Sequence, residues 1–382
     1  MQAGILSSLT YRFYNRRVSG VSEMKVLHIA GNGFISGVGV HLLSLVRQQM
    51  PYLKECRVAI WGKGGAISEQ INNMGVEVDI WNCKSGHDFR LLLNFQKIIA
   101  SFRPDIVHMH NLPIFGSIPA RLSRYPIVTT FHVKNNRSCG IANKAYGNSI
   151  KGVIAVSNTL RKSCLEQGLF PKAKWVVIYN GIDIAHFSPD PVFGYPAGNG
   201  KQFDFIAVTR FAKDKHIENA VEIVNILHSK YGINLKLRLV GSGDQEEFLR
   251  QRVDALKLNE CVHFAGEFAD PSSILKKSHG FFMLSEYETF AIGALEAAAC
   301  GTPIFSYPVR GGINEWLKDG IGGVVSKDRT PDSLAEKTAG VLSRCEYWQS
   351  LRTSARETAV EFTEEKTAKK TLSFYEDIIK NK

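Results

Sequence analysis

The stretch MKVLHIAGNGF, residues 24–34, carries a short apolar run into a glycine-bearing loop, and VHLLSLVRQQM, residues 40–50, follows it with helical spacing. Strand, loop and helix in that order open a doubly wound α/β unit, because a strand buried on both faces reads as a continuous apolar run and not as an alternation. The pattern repeats through CRVAIWG, VEVDIWN, the helix-like FRLLLNFQKIIASF, DIVHMHN, IVTTFH, GVIAVS and WVVIYNG. After the Pro- and Gly-rich PVFGYPAGNGK, residues 191–201, it restarts as FDFIAVTRF, a helix over 217–230, LKLRLVGSG, a helix over 246–256, CVHFAGE, HGFFMLS, a helix over 293–300 and PIFSY. This spacing predicts α/β architecture in two Rossmann-like doubly wound lobes. The expected boundaries are an extension over 1–23, a first lobe over 24–190, a linker over 191–203, a second lobe over 204–360 and a closing helix over 361–382 that can return to the first lobe.

Length and composition agree with that reading. At about 150 residues per domain, 382 residues make two domains. Hydrophobic residues are 44% and charged residues 22%, enough apolar material for cores and too little charge for wholesale disorder. No apolar run approaches the roughly 18 residues that span a bilayer, and GILSSL is too short and badly flanked for a secretory segment. The seven cysteines are scattered without a C-x-x-C pair, which fits reduced thiols of a cytoplasmic chain better than a disulfide frame or a zinc knuckle. Leu6, Leu9 and Phe13 with Arg12, Arg16 and Arg17 allow either an amphipathic helix on a membrane surface or a disordered tail.

The net charge of +11 is unevenly spread. Up to Asp190 there are 22 Lys and Arg against 10 Asp and Glu; beyond it there are 25 against 26. A basic half fits a phosphorylated substrate, an anionic lipid surface or a plain solvated exterior. Nucleic acid fits least, since the cations are dispersed and no nucleic-acid motif accompanies them.

Ligands of doubly wound lobes bind where strands end, which singles out four places. Ser36-Gly37-Val38-Gly39 joins strand to helix and offers backbone N–H groups to an anion. It does not match G-x-G-x-x-G, and no acidic residue follows at the distance a nicotinamide cofactor requires. Arg210 and Lys215 follow the first strand of the second lobe and could neutralise a diphosphate, though an ordinary solvated helix start would look the same. In SEYETFAIGALEAAACGTPI, Glu288 stands at the mouth of a turn and Glu296 one turn inside a helix of small apolar residues. A carboxylate is costly to bury there without a partner, which ligand hydroxyls or a nearby Arg would supply. Finally, His108 and His110 share one side of their strand, and His132 ends the next. His108 reads better as core, and His132 better as site.

These segments resemble retaining glycosyltransferase family 4, of the GT-B fold, over nearly the whole chain from about Met24 to about Val360. Glu288 to Glu296 with AAACGTPI, then VRGGINEWLKDGIGGVV, are similar to the family's E-A-x-A-x-G-x-P-V and G-G-x-x-E-x-x-x-x-G-x-x-G segments. YNGIDIAHFSP, LVGSGDQEEFL and VHFAGEF fit in the same order. The resemblance implies two lobes facing each other across a cleft, with transfer of a sugar from a nucleoside-diphosphate sugar, a UDP- or GDP-sugar, and no metal or other cofactor. No Asp-x-Asp pair occurs to hold a metal-diphosphate clamp. It implies that Arg210 and Lys215 hold the diphosphate, Glu296 the ribose, and Glu288 with the backbone of Phe290, Ala291 and Ile292 the transferred sugar. His132 would sit at the reacting centre, and Gly37 would admit a donor or acceptor phosphate. Three residues depart from the family pattern. Ser36 and Thr209 each replace a glycine, and so does Ala291, whose methyl would narrow the pocket or alter donor choice.

The expected function is therefore a cytoplasmic, metal-independent hexosyltransferase acting on a glycan or lipid-linked acceptor for surface polysaccharide, with its basic lobe toward an anionic membrane. A nucleotide-sugar epimerase or phosphorylase of the same fold, and a non-catalytic sugar-nucleotide binder, are the competing readings. Intact Arg210, Lys215, Glu288 and Glu296 weigh against the last.

Overall fold

The computed structural model describes residues 22–110, 112, 117–122, 124–132, 143–198, 200–268 and 270–380. Cys139 and the expected extension, up to residue 21, lie outside the described residues. Ser22 and Glu23 already belong to the first strand. The chain forms two units, one running to Gly181 and resuming at Glu364, the other spanning Ile182–Thr363.

In the first unit, β1 (Ser22–Ala30), β2 (Leu53–Ile60), β3 (Glu77–Ile80), β4 (Ile106–Met109), β5 (Ile127–Phe131), β6 (Ile150–Ala155) and β7 (Lys174–Val177) form a parallel sheet in the order β3-β2-β1-β4-β5-β6-β7. Among the described residues its helices include α1 (Gly37–Gln49), α2 (Ala66–Asn73), α3 (Arg90–Phe102), α4 (Ser117–Leu122) and α5 (Asn158–Glu166). The strand order reverses between β1 and β4, opening a crevice at their carboxyl ends. Ser36 starts α1 from an extended backbone, its hydroxyl accepting the Gly39 N–H at 3.1 Å. The serine that departs from the family's glycine is thus a helix cap.

The second unit repeats the plan with β8 (Gln202–Val208), β9 (Asn234–Val240), β10 (Val262–Gly266), β11 (Gly280–Met283), β13 (Ile304–Ser306) and β15 (Gly323–Val325), ordered β10-β9-β8-β11-β13-β15. A separate parallel pair, β12 (Tyr287–Glu288) and β14 (Arg310–Gly311), stands beside it. The order reverses between β8 and β11. The helices are α6 (Glu218–Ser229), α7 (Glu246–Ala255), α8 (Ser272–Leu275), α9 (Ile292–Ala299), α10 (Pro331–Leu342) and α11 (Cys345–Ala359). Both units are Rossmann-like α/β domains.

Residues 191–203, expected as a linker, belong to the second unit. Phe193 and Tyr195 pack on its core, and Arg352 Nη2 donates to the Asp190 carbonyl at 3.1 Å. The division falls at Gly181 and not near residue 190 because these aromatic rings find apolar partners there.

The last helix, α12 (Glu364–Lys380), belongs to the first unit. Phe374, Tyr375 and Ile378 pack against Met24, Val26, Ile106, Val128 and Ile154 of the sheet. A Cβ at Gly152 would lie 2.8 Å from the Phe374 ring, so the missing side chain is what lets the helix settle on β6. Arg47 Nη2 donates to both carboxylate oxygens of Glu364 at 2.7 and 2.5 Å, tying the start of α12 to α1. Phe374→Ala should therefore destabilise the protein by about 3–5 kcal/mol. Urea denaturation would read this as a lower midpoint, and an unchanged midpoint would mean that α12 is not part of this core.

Candidate active site

In the second unit the loop leaving β8 is clamped by the loop leaving β9. Thr209 N–H donates to Val240 O at 3.0 Å, Phe211 N–H to Ser242 O at 2.8 Å, and Gln245 N–H to Phe211 O at 3.1 Å. Gly241 has φ +138°, and a Cβ there would fall 1.9 Å from Thr209 O, so glycine is required for the loops to meet. The clamp delivers Lys213–Lys215 as a single tight turn. Lys215 Nζ then reaches Glu288 Oε1 at 2.7 Å, with both side chains half-buried at 18% exposure. Arg210 is not drawn into this pair. Its guanidinium is 3.8 Å from Asp214 and its side chain is 70% exposed.

Glu288 is held by its backbone. It pairs with Gly311 across β12 and β14, where Gly311 has φ +118° and an added Cβ would stand 2.0 Å from Glu288 O. The turn that follows is pinned where Trp316 Nε1 donates to the buried Phe290 carbonyl at 2.9 Å. Ala291 takes the left-handed conformation, φ 63° and ψ 64°, immediately ahead of α9, where Ile292 is the first helical residue. That conformation explains why glycine suits the position, since a Cβ there costs roughly 1–2 kcal/mol. One turn into α9, Glu296 is buried among Ala294, Leu295, Ala297, Ala298 and Ala299. Arg329 donates to the Leu284 and Ser285 carbonyls at 3.0 and 3.1 Å, bracing the chain as it leaves β11. Lys215 and Glu288 thus meet at the second unit's switch point, with the start of α9 a few residues further along the chain.

The first unit's switch point is lined by histidines. His132 follows β5 directly, His110 follows β4 directly, and both are buried together with His28, His41 and His108. Sequence reasoning found His108, His110 and His132 but missed His28 and His41. The parallel register sets His28 of β1 beside His108 of β4, a pairing that no local pattern marks. His41 comes from α1 and was visible only once that helix lay over the sheet, its ring centre 4.8 Å from that of His132. His108 is a core residue, its two nitrogens taken by the Tyr375 hydroxyl and Thr130 Oγ1. His28 bonds His110 and Gln49, each at 3.2 Å. Gly37 is the exposed first residue of α1, at the same end of the sheet.

Burial dominates the titration of these imidazoles. It pulls His28 down to about 3 and His41 to about 4, with smaller opposing pulls from Gln49 and Asn180 respectively. His108, His110 and His132 are likewise held well below the ordinary histidine range, first by burial and then by their neighbours. All five are neutral at physiological pH.

Two outcomes follow from these contacts. Gly311→Ala should push Glu288 away from Lys215 and lower the urea midpoint, since its Cβ would stand 2.0 Å from Glu288 O; an unchanged midpoint would show that β14 does not set the Glu288 position. The second concerns acid stability. A histidine whose folded pKa lies below its unfolded value contributes stability that is complete above about pH 6.5 and is lost as pH falls toward the folded value, because only the unfolded chain takes up the proton. His28 alone should lower stability by about 1.4 kcal/mol per pH unit over the window from about 6.5 down to its folded value. A urea midpoint equal at about pH 7 and about pH 5 would contradict buried neutral imidazoles.

Comparison with known proteins finds a match for each unit. Residues 196–358 match the family model for glycosyl transferases group 1, and residues 35–186 match that for glycosyltransferase family 4. The capsular polysaccharide biosynthesis glycosyltransferase CapH of Staphylococcus aureus is 22% identical, covering 78% of this chain and 85% of its own length. The N-acetyl-alpha-D-glucosaminyl L-malate synthase of Bacillus anthracis is 26% identical, covering 77% of this chain and 80% of its own length. Among solved structures, HepE of Anabaena in complex with UDP and glucose has a TM-score of 0.80 at 17% identity, over 93% of this chain and 100% of that one. Each half of the chain matches a glycosyltransferase model, in chain order, on a pair of domains with the GT-B fold, and the chain belongs to the group 1 and family 4 glycosyltransferases.

Proposed function

We propose that this glycosyltransferase moves a hexose from a UDP- or GDP-sugar to a glycan or lipid-linked acceptor, with retention at the anomeric carbon and without a metal, in surface polysaccharide synthesis. The observation that carries the reading is the Lys215–Glu288 pair at the β8/β11 switch point. A half-buried ammonium ion fixed by a carboxylate is a preorganised positive charge. It takes up negative charge that grows on a departing diphosphate without reorganising at the moment of reaction. Arg210, facing solvent beside Asp214, is the second cation and can turn onto the diphosphate when donor binds. Glu296 accepts from the ribose hydroxyls, and Glu288 with the turn at Phe290, Ala291 and Ile292 receives the sugar. His132, neutral and set at a strand's carboxyl end, hydrogen-bonds a sugar, and the α1 start at Gly37 offers N–H groups to a phosphate.

The HepE structure in complex with UDP and glucose supports a nucleotide-sugar donor, and CapH supports a role in surface polysaccharide. Among the described residues no helix is long and apolar enough to cross a membrane. Peripheral contact through the basic first half, on the cytoplasmic face, would bring the enzyme to a membrane-displayed acceptor.

The test is an assay for released nucleoside diphosphate. Release should require acceptor, and Lys215→Ala should lower kcat by about 10²–10³-fold. With acceptor in anionic vesicles the rate should fall as salt rises. Isomerised donor without acceptor would make the protein an epimerase, and wild-type turnover in Lys215→Ala would remove the ion pair from the mechanism.

A further inference from the structure

We propose that His41, His110 and His132 form a three-imidazole site for a divalent transition metal of the Zn²⁺ class, at the β1/β4 switch point of the first unit. The argument begins with which nitrogens are already occupied. Gln49 Oε1 can only accept, so the proton of His28 lies on Nε2, and His28 Nδ1 is a bare acceptor. His110 Nε2, 3.2 Å from His28 Nδ1, must then be the donor of that bond. A neutral imidazole carries one proton, so His110 Nδ1 is a lone pair. It is buried and has no hydrogen-bond partner among the described residues. A buried acceptor without a donor is costly, and a metal ion or a ligand hydrogen would satisfy it.

Geometry favours the metal. The candidate ligand atoms of His41, His110 and His132 all lie within 4.8 Å of one another. Their ring centres are 4.8 Å apart for His41 and His132, 5.6 Å for His41 and His110, and 5.8 Å for His110 and His132. Three imidazoles on one tetrahedral ion, each at about 2.0–2.1 Å, put their ring centres roughly 5 Å apart and their ligating nitrogens about 3.4 Å apart, so small ring rotations close the set. Burial keeps all three neutral, the form that ligates. The hydrogen bond from His110 Nε2 to His28, and on to Gln49, is the outer support that orients a metal-bound histidine. The neighbouring group of His28, His108 and His110 has no such capacity, because both nitrogens of His28 and of His108 are already bonded.

Three nitrogens and no carboxylate select Zn²⁺, Co²⁺, Ni²⁺ or Cu²⁺ over Mg²⁺ and Ca²⁺, which prefer oxygen. Metal on His132 also withdraws that side chain from any sugar. This last consequence rests on the role proposed above for His132; the metal site itself does not. The ion would therefore act as a reversible brake on a transfer that needs no metal.

The experiment uses the full chain, stripped with chelator and titrated with Co²⁺ and then Zn²⁺. One equivalent of Co²⁺ should give the intense visible bands of a tetrahedral complex, and Zn²⁺ should abolish them. X-ray absorption of the Zn²⁺ form should show imidazole scattering. His110→Gln should weaken Co²⁺ binding at least tenfold, and His28→Phe should weaken it 10–100-fold through loss of the outer support. Weak octahedral bands without saturation, an all-oxygen zinc shell in the wild type, or unchanged affinity in a folded His110→Gln would each overturn the site. The wild-type spectra decide the matter should both variants fail to fold. Saturable tetrahedral binding with turnover untouched by Zn²⁺ would uphold the site and instead overturn the role given to His132.

Discussion

Covering a parallel sheet on both faces leaves polar chemistry only the ends of the strands. Every residue of β4 and β5 is buried, as is every residue of β11 and β13. Charge along those strands would have to be desolvated without compensation. Helices cover the faces, and only where the strand order reverses do neighbouring connections leave in opposite directions and open a crevice. Each unit has one such reversal, at β1/β4 and at β8/β11, and the groups that can do chemistry gather at both.

The two crevices answer this constraint differently. In the second unit, water still reaches the site, and Lys215 and Glu288 pair at 2.7 Å. Their arrangement rests on backbone devices, with Gly241 letting one loop close on Thr209 and Gly311 letting β14 lie against Glu288. In the first unit, burial is complete enough that imidazoles stay neutral, and their order comes from hydrogen bonds passed from Gln49 to His28 to His110. One unit holds an ion pair at its reversal, and the other a set of buried imidazoles.

The first unit's arrangement also depends on the end of the chain. Tyr375, on α12, bonds His108 from beneath the cluster, while Arg47 and Glu364 fasten the same helix beside α1. The helix written last is thus part of the core that sets the first histidines. Its place relies on Gly152, where any side chain would strike Phe374.

The sequence by itself determined the two doubly wound units and their approximate elements, because continuous Val- and Ile-rich runs followed by amphipathic helices are compatible with little else. It also marked Lys215, Glu288, Glu296 and His132, since each lies just beyond a strand or at a helix start, where local pattern is informative. It did not separate Arg210 from Lys215, two residues of one loop that the fold sends to solvent and to Glu288 respectively. Nor could it join His28 and His41 to His110 and His132, or bring Tyr375 to His108 across 267 positions. Those meetings follow from strand register and helix docking, which are set by packing among residues distant in the chain. Periodicity reports which face of an element is buried; only the folded molecule decides what that face meets.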